Sequence, residues 1–334
     1  MSDFLSRLLS TFKQSGLGGF LFAIIGVITL AWIRPSIGVG EGPFSLERIA
    51  VYGVSVIFFF YGLSLDPQKL KAGLSNWRMH VIVQCTTFIV FPLLALCFKP
   101  LFNSASYQLL WFGVYYLAAL PSTVSSSVVM VSIAEGNLPA AIFNASISSL
   151  IGIFATPFWI GLFSNEETGS FDPWSVIGKL MLQVVLPVCL GLLLHNGLGK
   201  WAAKHKSKLR ISDQAVILLI IYTSFCQSFY NDVFNNFSLT QLLLLGLAMI
   251  ILFLSVFGVM NVISRLLNFN REDRITVLFC GSKKSLVHGT VMSKVLFQHS
   301  TVTGIILLPL MLYHALQLII ASVIAQQMAL KKHK

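Results

Sequence analysis

Charge is what this sequence has least of. Only 10% of its 334 residues are Asp, Glu, Lys or Arg, while 56% are hydrophobic; a soluble globular domain carries about a quarter charged residues. That scarcity excludes a water-soluble enzyme or binding module and points to a polytopic membrane protein. Acidic residues are the rarer kind, 12 against 23 basic ones. None stands at the centre of an apolar run; the nearest, Glu135, is placed at a helix end. The five cysteines, Cys85, Cys97, Cys189, Cys226 and Cys280, all lie in apolar segments without metal-ligand spacing. They exclude a metal centre and a disulfide framework, and read as small packing residues. Long hydrophilic stretches are absent too, so no soluble domain fits between the apolar runs. The net charge of +11 is therefore assigned to cytoplasmic loops rather than to a nucleic-acid interface. The basic run KHKSKLR (204–210) is read as a topology signal touching anionic lipid.

What the chain has instead is apolar runs long enough to cross a bilayer, roughly 20 residues each. Ten are expected, at about 17–33, 48–64, 79–98, 107–133, 139–163, 173–195, 211–229, 240–264, 275–297 and 301–327. Before them, residues 1–16 place Phe4, Leu5, Leu8, Leu9 and Phe12 on one helical face, the pattern of an interfacial helix rather than a cleaved signal. After them comes a basic tail, 330–334. With the N-terminus inside, 16 Lys and Arg residues fall on cytoplasmic segments, against Arg34, Arg48 and Lys99 outside. This asymmetry places both termini in the cytoplasm, in a plasma membrane or a bacterial inner membrane.

Ten spans divide into five and five, and an odd repeat must invert: 17–163 against 164–329. Inverted repeats with matching interrupted helices are the mark of secondary transporters. The fourth span is interrupted by LPSTVSSS, with Pro121 near its midpoint, and the ninth by CGSKKS, with Gly281 near its midpoint. Proline removes a backbone donor and glycine relaxes the helix. The freed peptide groups are tolerated where they line a cavity or meet another helix, and Ser122, Thr123, Ser125, Ser126, Ser127, Ser282 and Ser285 are suited to satisfy them.

Several stretches resemble the bile acid:sodium symporter superfamily. The segment FFFYGLSLDPQKLKAGLSNWRMHVIVQCTTFIVFPLLAL carries a G-L-x-L (Gly62 to Leu65), a basic loop and a span with Phe91-Pro92-Leu93; LPSTVSSSVVMVSIAEGN resembles the family's fourth helix and its Gly-Asn turn. The resemblance implies an all-α membrane protein of ten transmembrane helices in two inverted five-helix repeats. It also implies broken, crossing helices 4 and 9, and a core (spans 3–5 and 8–10) beside a panel (spans 1, 2, 6 and 7). It equally marks departures. Where members carry a sodium-binding acidic residue before the ninth-helix glycine and a Gln-Asn pair after it, this chain has Phe279 and Lys283-Lys284; the third-helix Gln is Thr87, with Gln84 one turn earlier. Thr87, Ser122 and Thr123 are what remains for Na⁺. The K-S-L stretch resembles a divergent orphan branch of the superfamily.

Two adjacent lysines near mid-membrane pose the functional question. Their repulsion of a sodium ion at 4–6 Å is on the order of several kcal/mol at an effective dielectric near 20. Three readings stay open. The ammoniums and half-helix N-termini bind an anion; a lysine titrates and couples transport to H⁺; or an ammonium takes the place of a sodium ion at half-helix carbonyls. As helical neighbours they project about 100° apart, one for each task. His288 is a candidate proton relay or substrate contact, Asn144 and Ser148 share a face that completes a polar site, and Lys294 is expected to snorkel. No cofactor is expected. The expected function is a symporter-like secondary transporter of a small organic anion, not an enzyme. The competing classes are a sodium-dependent symporter, a non-transporting membrane regulator, and a Ser-Lys hydrolase built on Ser282 or Ser285 with Lys284.

Overall fold

Apolar runs of this length satisfy their own backbone groups in lipid only as helices. The computed structural model describes residues 17–40, 45–65, 76–101, 105–162, 178–179, 181–236, 238–297 and 300–330, and among these no strand occurs. The expected interfacial helix (1–16), the loop 66–75 and the basic tail beyond Leu330 lie outside the described residues.

The helices are α1 (Leu17–Ile33), α2 (Leu46–Ser64), α3 (Trp77–Cys97), α4 (Ala105–Ala119), α5 (Ser125–Ile133), α6 (Leu138–Gly161), α7 (Met181–Leu193), α8 (His195–Lys204), α9 (Lys206–Tyr230), α10 (Leu239–Leu266), α11 (Arg271–Gly281), α12 (Leu286–Leu296) and α13 (Thr303–Leu330). Six of them, α2, α3, α6, α9, α10 and α13, are long and apolar enough to cross a membrane unaided; a seventh follows if α7 and α8, bent by 95°, are one span. The expected runs 107–133 and 275–297 are each two helices with a gap, α4 with α5 and α11 with α12. On α10, Leu243, Leu247, Ile251 and Leu254 are exposed along one face, as in a helix whose solvent is lipid.

Local signals set the ends. Ser238 and Gln241 form a capping box at the start of α10. One carboxylate ties three helix starts together. Buried Asp273 accepts from Nδ2 of Asn76 (2.9 Å), Asn270 (3.3 Å) and Asn137 (2.8 Å), which are the N-caps of α3, α11 and α6. Glu135, in the turn between α5 and α6, has φ 59°, where the chain must reverse sharply.

Two groups of helices result. α2 packs on α7 and α9, and α9 on α1; α13 packs on α4, α5, α10 and α12, with α3, α6 and α11 filling in around them. α9 and α2 meet the second group at α12, and α9 also at α13. The α2–α7 approach is close enough that a Cβ on Gly62 would lie 2.1 Å from the Val188 carbonyl oxygen. Two expectations are corrected here. Cys85, Cys97 and Cys189 point outward, and only Cys226 and Cys280 are buried. Lys294 is not extended to solvent: it is buried and pairs with Glu47 of α2 (3.4 Å), because a carboxylate from a neighbouring helix meets the ammonium inside the protein.

Candidate functional site

The two gaps interlock. Pro121 offers no N–H, and the next amide, that of Ser122, leaves the helix and donates to Ser148 Oγ (2.9 Å). In return the hydroxyls that follow cap the end of α11: Ser122 Oγ donates to the Cys280 carbonyl (2.6 Å) and Ser127 Oγ to that of Phe279 (3.1 Å). The opposite gap reaches back, the Ser285 amide donating to the Pro121 carbonyl (3.0 Å). Gly152 of α6 makes room, since a Cβ there would come within 2.9 Å of Pro121. Thr123 and Ser127 share a hydrogen bond (2.6 Å), and Ser126 Oγ donates to Thr123 (2.9 Å). Ser125 opens α5; its side chain lies outside the described residues.

Both lysines are buried in the gap between α11 and α12, and they point apart. The residues from Ser282 to Ser285 are not helical, so the divergence comes from the irregular backbone of the gap rather than from a 100° helical step. Lys284 Nζ donates to the carbonyls of Thr87 (2.7 Å), Ala118 (2.6 Å) and Leu120 (2.8 Å), and lies 4.2 Å from the Phe91 ring centre. Lys283 Nζ donates to the carbonyl (3.0 Å) and hydroxyl (3.2 Å) of Ser126 in the first turn of α5. Among the described residues neither ammonium pairs with a carboxylate.

The remaining candidates separate. Ser285 Oγ accepts from the His288 amide (3.3 Å) and is 2.9 Å from His288 Nδ1, which leaves the buried Nε2 without a partner among the described residues. His288 faces Phe58 and Tyr61 of α2, ring centres 5.8 and 6.0 Å away, so it sits where the two helix groups meet. Asn144 and Ser148 share a face but serve different partners. Ser148 holds the gap, while Asn144 accepts from Gln84 Nε2 (3.3 Å). The Thr87 hydroxyl is turned to the Val83 carbonyl (2.8 Å), and Thr87 serves the site through its backbone oxygen. Ser282 Oγ donates to Leu278 (2.6 Å).

Sequence reasoning missed α13. Gln317 holds Lys284 from both sides of its backbone, accepting from its N–H (2.9 Å) and donating to its carbonyl (2.8 Å); Tyr313 OH donates to the Ser282 carbonyl (2.7 Å). Tyr313, His314 and Gln317 form a polar i, i+1, i+4 stripe in an otherwise apolar run, and that stripe was the available signal.

A family model described as the SBF-like CPA transporter family matches residues 18–330. The chain belongs to this family. It is 38% identical over 313 residues to the Pseudomonas aeruginosa protein PA2026, covering 94% of this chain and 93% of that one. It is 37% identical over 311 residues to the Escherichia coli protein whose name is "Putative symporter YfeH", covering 92% of each. To "Sodium/bile acid cotransporter 7" of Danio rerio it is 33% identical over 311 residues, covering 91% of each. This SBF-like protein is thus an integral membrane transporter for a small solute, with no enzymatic role. The hydrolase reading falls with that, and the geometry agrees. Lys284 has all three N–H bonds on backbone carbonyls, while Ser282 and Ser285 point to Leu278 and His288.

Proposed function

We propose that the protein moves a small organic anion across the plasma membrane by alternating access, as a symporter-like secondary transporter. In this reading the helices make ten spans, with α4–α5 and α11–α12 each one interrupted span. Residues 17–163 and 164–329 form inverted repeats, both termini are cytoplasmic, and the charge asymmetry of the loops supports that orientation. The panel is α1, α2, α7 and α9; α3–α6 and α10–α13 are the core that rocks against it.

The observation that carries the anion is Lys283. From the gap between α11 and α12 its buried ammonium reaches the first turn of α5 and is bonded only to Ser126 among the described residues. The start of a helix already favours negative charge, so the cation and the helix end attract the same kind of ligand. His288 adds a directed donor. Ser285 Oγ accepts the His288 amide, and its own hydrogen is then free for Nδ1. That tautomer leaves Nε2–H, buried between core and panel, to meet an acceptor on the substrate.

The test is stability of the purified protein against a panel of organic anions, since a ligand of the folded state raises it with ln(1 + [L]/Kd). One or more anions should stabilise the wild type, and Lys283→Gln should lose at least tenfold in apparent affinity, about 1.4 kcal/mol. If no organic anion responds, or Lys283→Gln binds as tightly as wild type, the reading is wrong. A second reading, sodium symport, is favoured by the printed name of the Danio rerio relative. It would use Thr87, Ser122 and Thr123, and it predicts that Na⁺ alone stabilises the wild type saturably.

A further inference from the structure

We propose that Lys284 is the transporter's own resident cation. Its ammonium fills a cage of three backbone carbonyls that would otherwise attract a monovalent metal ion, so no sodium ion enters the cycle at this position. The cage stands on the geometry alone; its consequence for coupling rests on the transport reading above.

Each oxygen of the cage lies where a helix is interrupted at a proline, Pro92 for Thr87 and Pro121 for Ala118 and Leu120. In α3 the chain makes a π-helical turn over Thr86–Val90, where the Phe91 amide reaches back to the Thr86 carbonyl. The next carbonyl, Thr87, would take the amide of residue 92, which is proline and has none. In α4 the gap at Pro121 leaves the end of the helix open. The Ser122 amide, which would have returned to Ala118, donates to Ser148 instead, and Leu120 stands immediately before the proline. Three buried acceptors thus converge at the negative end of a half-helix, and leaving them unpaired in a dry interior is costly.

Lys284 Nζ answers all three, at 2.6–2.8 Å. The count of acceptors sets its charge. A neutral amine has two N–H bonds and a lone pair, and the lone pair would have to face a carbonyl oxygen. Only the ammonium has three donors. The Phe91 ring, 4.2 Å away, adds a cation-π contact. Gln317 then holds the Lys284 backbone on both sides, so the ammonium is delivered by an anchored peptide rather than a flexible one. Lys283 is the contrast: among the described residues its ammonium hydrogen-bonds to Ser126 alone.

The experiment has two arms, both read by thermal stability in detergent. In the first, wild type is titrated with Na⁺, K⁺ or Li⁺ against N-methylglucamine. No saturable response is expected, and organic-anion binding should have the same apparent affinity in every salt. A saturable Na⁺ response of the wild type overturns the proposal. In the second, Lys284→Ala is expressed and extracted with propylammonium present, then transferred to buffers with or without it. The variant should be stabilised saturably by propylammonium or ethylammonium and not by tetramethylammonium, which carries the charge but no N–H. Wild type should respond to none of them. A folded Lys284→Ala indifferent to N–H-bearing amines and to small metal cations also overturns it, and if the variant does not fold, the wild-type arm decides alone. Failure of every organic anion, with the wild type still blind to sodium, removes the organic-anion reading and leaves the resident cation standing.

Discussion

Replacing Asn137 with alanine should cost far more when Asp273 is present than when it is absent. Asn137 does two things: its Oδ1 caps α6 through the Ala140 amide (3.2 Å), and its Nδ2 donates to Asp273 Oδ1 (2.8 Å). A lost N-cap costs about 1 kcal/mol, and a lost hydrogen bond to an ionised group about 2 kcal/mol. Asn137→Ala alone should therefore destabilise by about 3 kcal/mol, and by only about 1 kcal/mol in an Asp273→Ala background. The coupling is about 2 kcal/mol, within the range of residues in one network. The same cycle run with Asn76 should give a similar value, because Asn76 also donates to this carboxylate (2.9 Å). Asp273→Asn should cost nearly as much as Asp273→Ala despite its shape, since one edge of an amide offers donors to a site that needs acceptors. The four proteins of each cycle are compared by equilibrium unfolding in mixed micelles. A coupling below about 0.5 kcal/mol would mean that these polar contacts are incidental to holding the helix starts together.

Two further outcomes follow from single contacts. Gly62→Ala should reduce the yield of monodisperse protein sharply, at a cost of about 3 kcal/mol, because the new Cβ meets a backbone oxygen at 2.1 Å rather than a movable side chain; normal yield would show that α2 and α7 can separate cheaply. Glu47→Leu should destabilise by about 2 kcal/mol by leaving the buried Lys294 without its carboxylate, and adding Lys294→Met should restore most of the loss; an unrepaired double variant would show that the pair is not the reason Lys294 is tolerated there.

Much of the architecture was legible because it rests on local chemistry. Pro121 among serines and Gly281 before a polar stretch each stand near the middle of an apolar run, so both gaps were readable, and α1 ends where its apolar run does. The hydroxyl of Ser122 was readable as a partner for freed backbone and is used so, whereas Ser148, read as part of a polar site with Asn144, takes the Ser122 amide instead. Lys294 was misjudged because its neighbour in space, Glu47, is 247 positions away. The α13 residues Tyr313 and Gln317 were missed because a polar residue in an apolar run does not say which backbone it will hold.

By itself, then, the sequence determined that this is a helical membrane protein, where two of its helices break, and that two cations stand in one of the breaks. These follow from hydrophobic run length and from the backbone chemistry of proline and glycine, properties of a residue and its near neighbours. Only the tertiary structure decided the work of each cation. Which carbonyls converge on Lys284, and why Lys283 bonds to Ser126, depends on oxygens more than 150 residues away in sequence. Periodicity carries no record of them, because it registers which face of a helix is apolar and not what that face will meet.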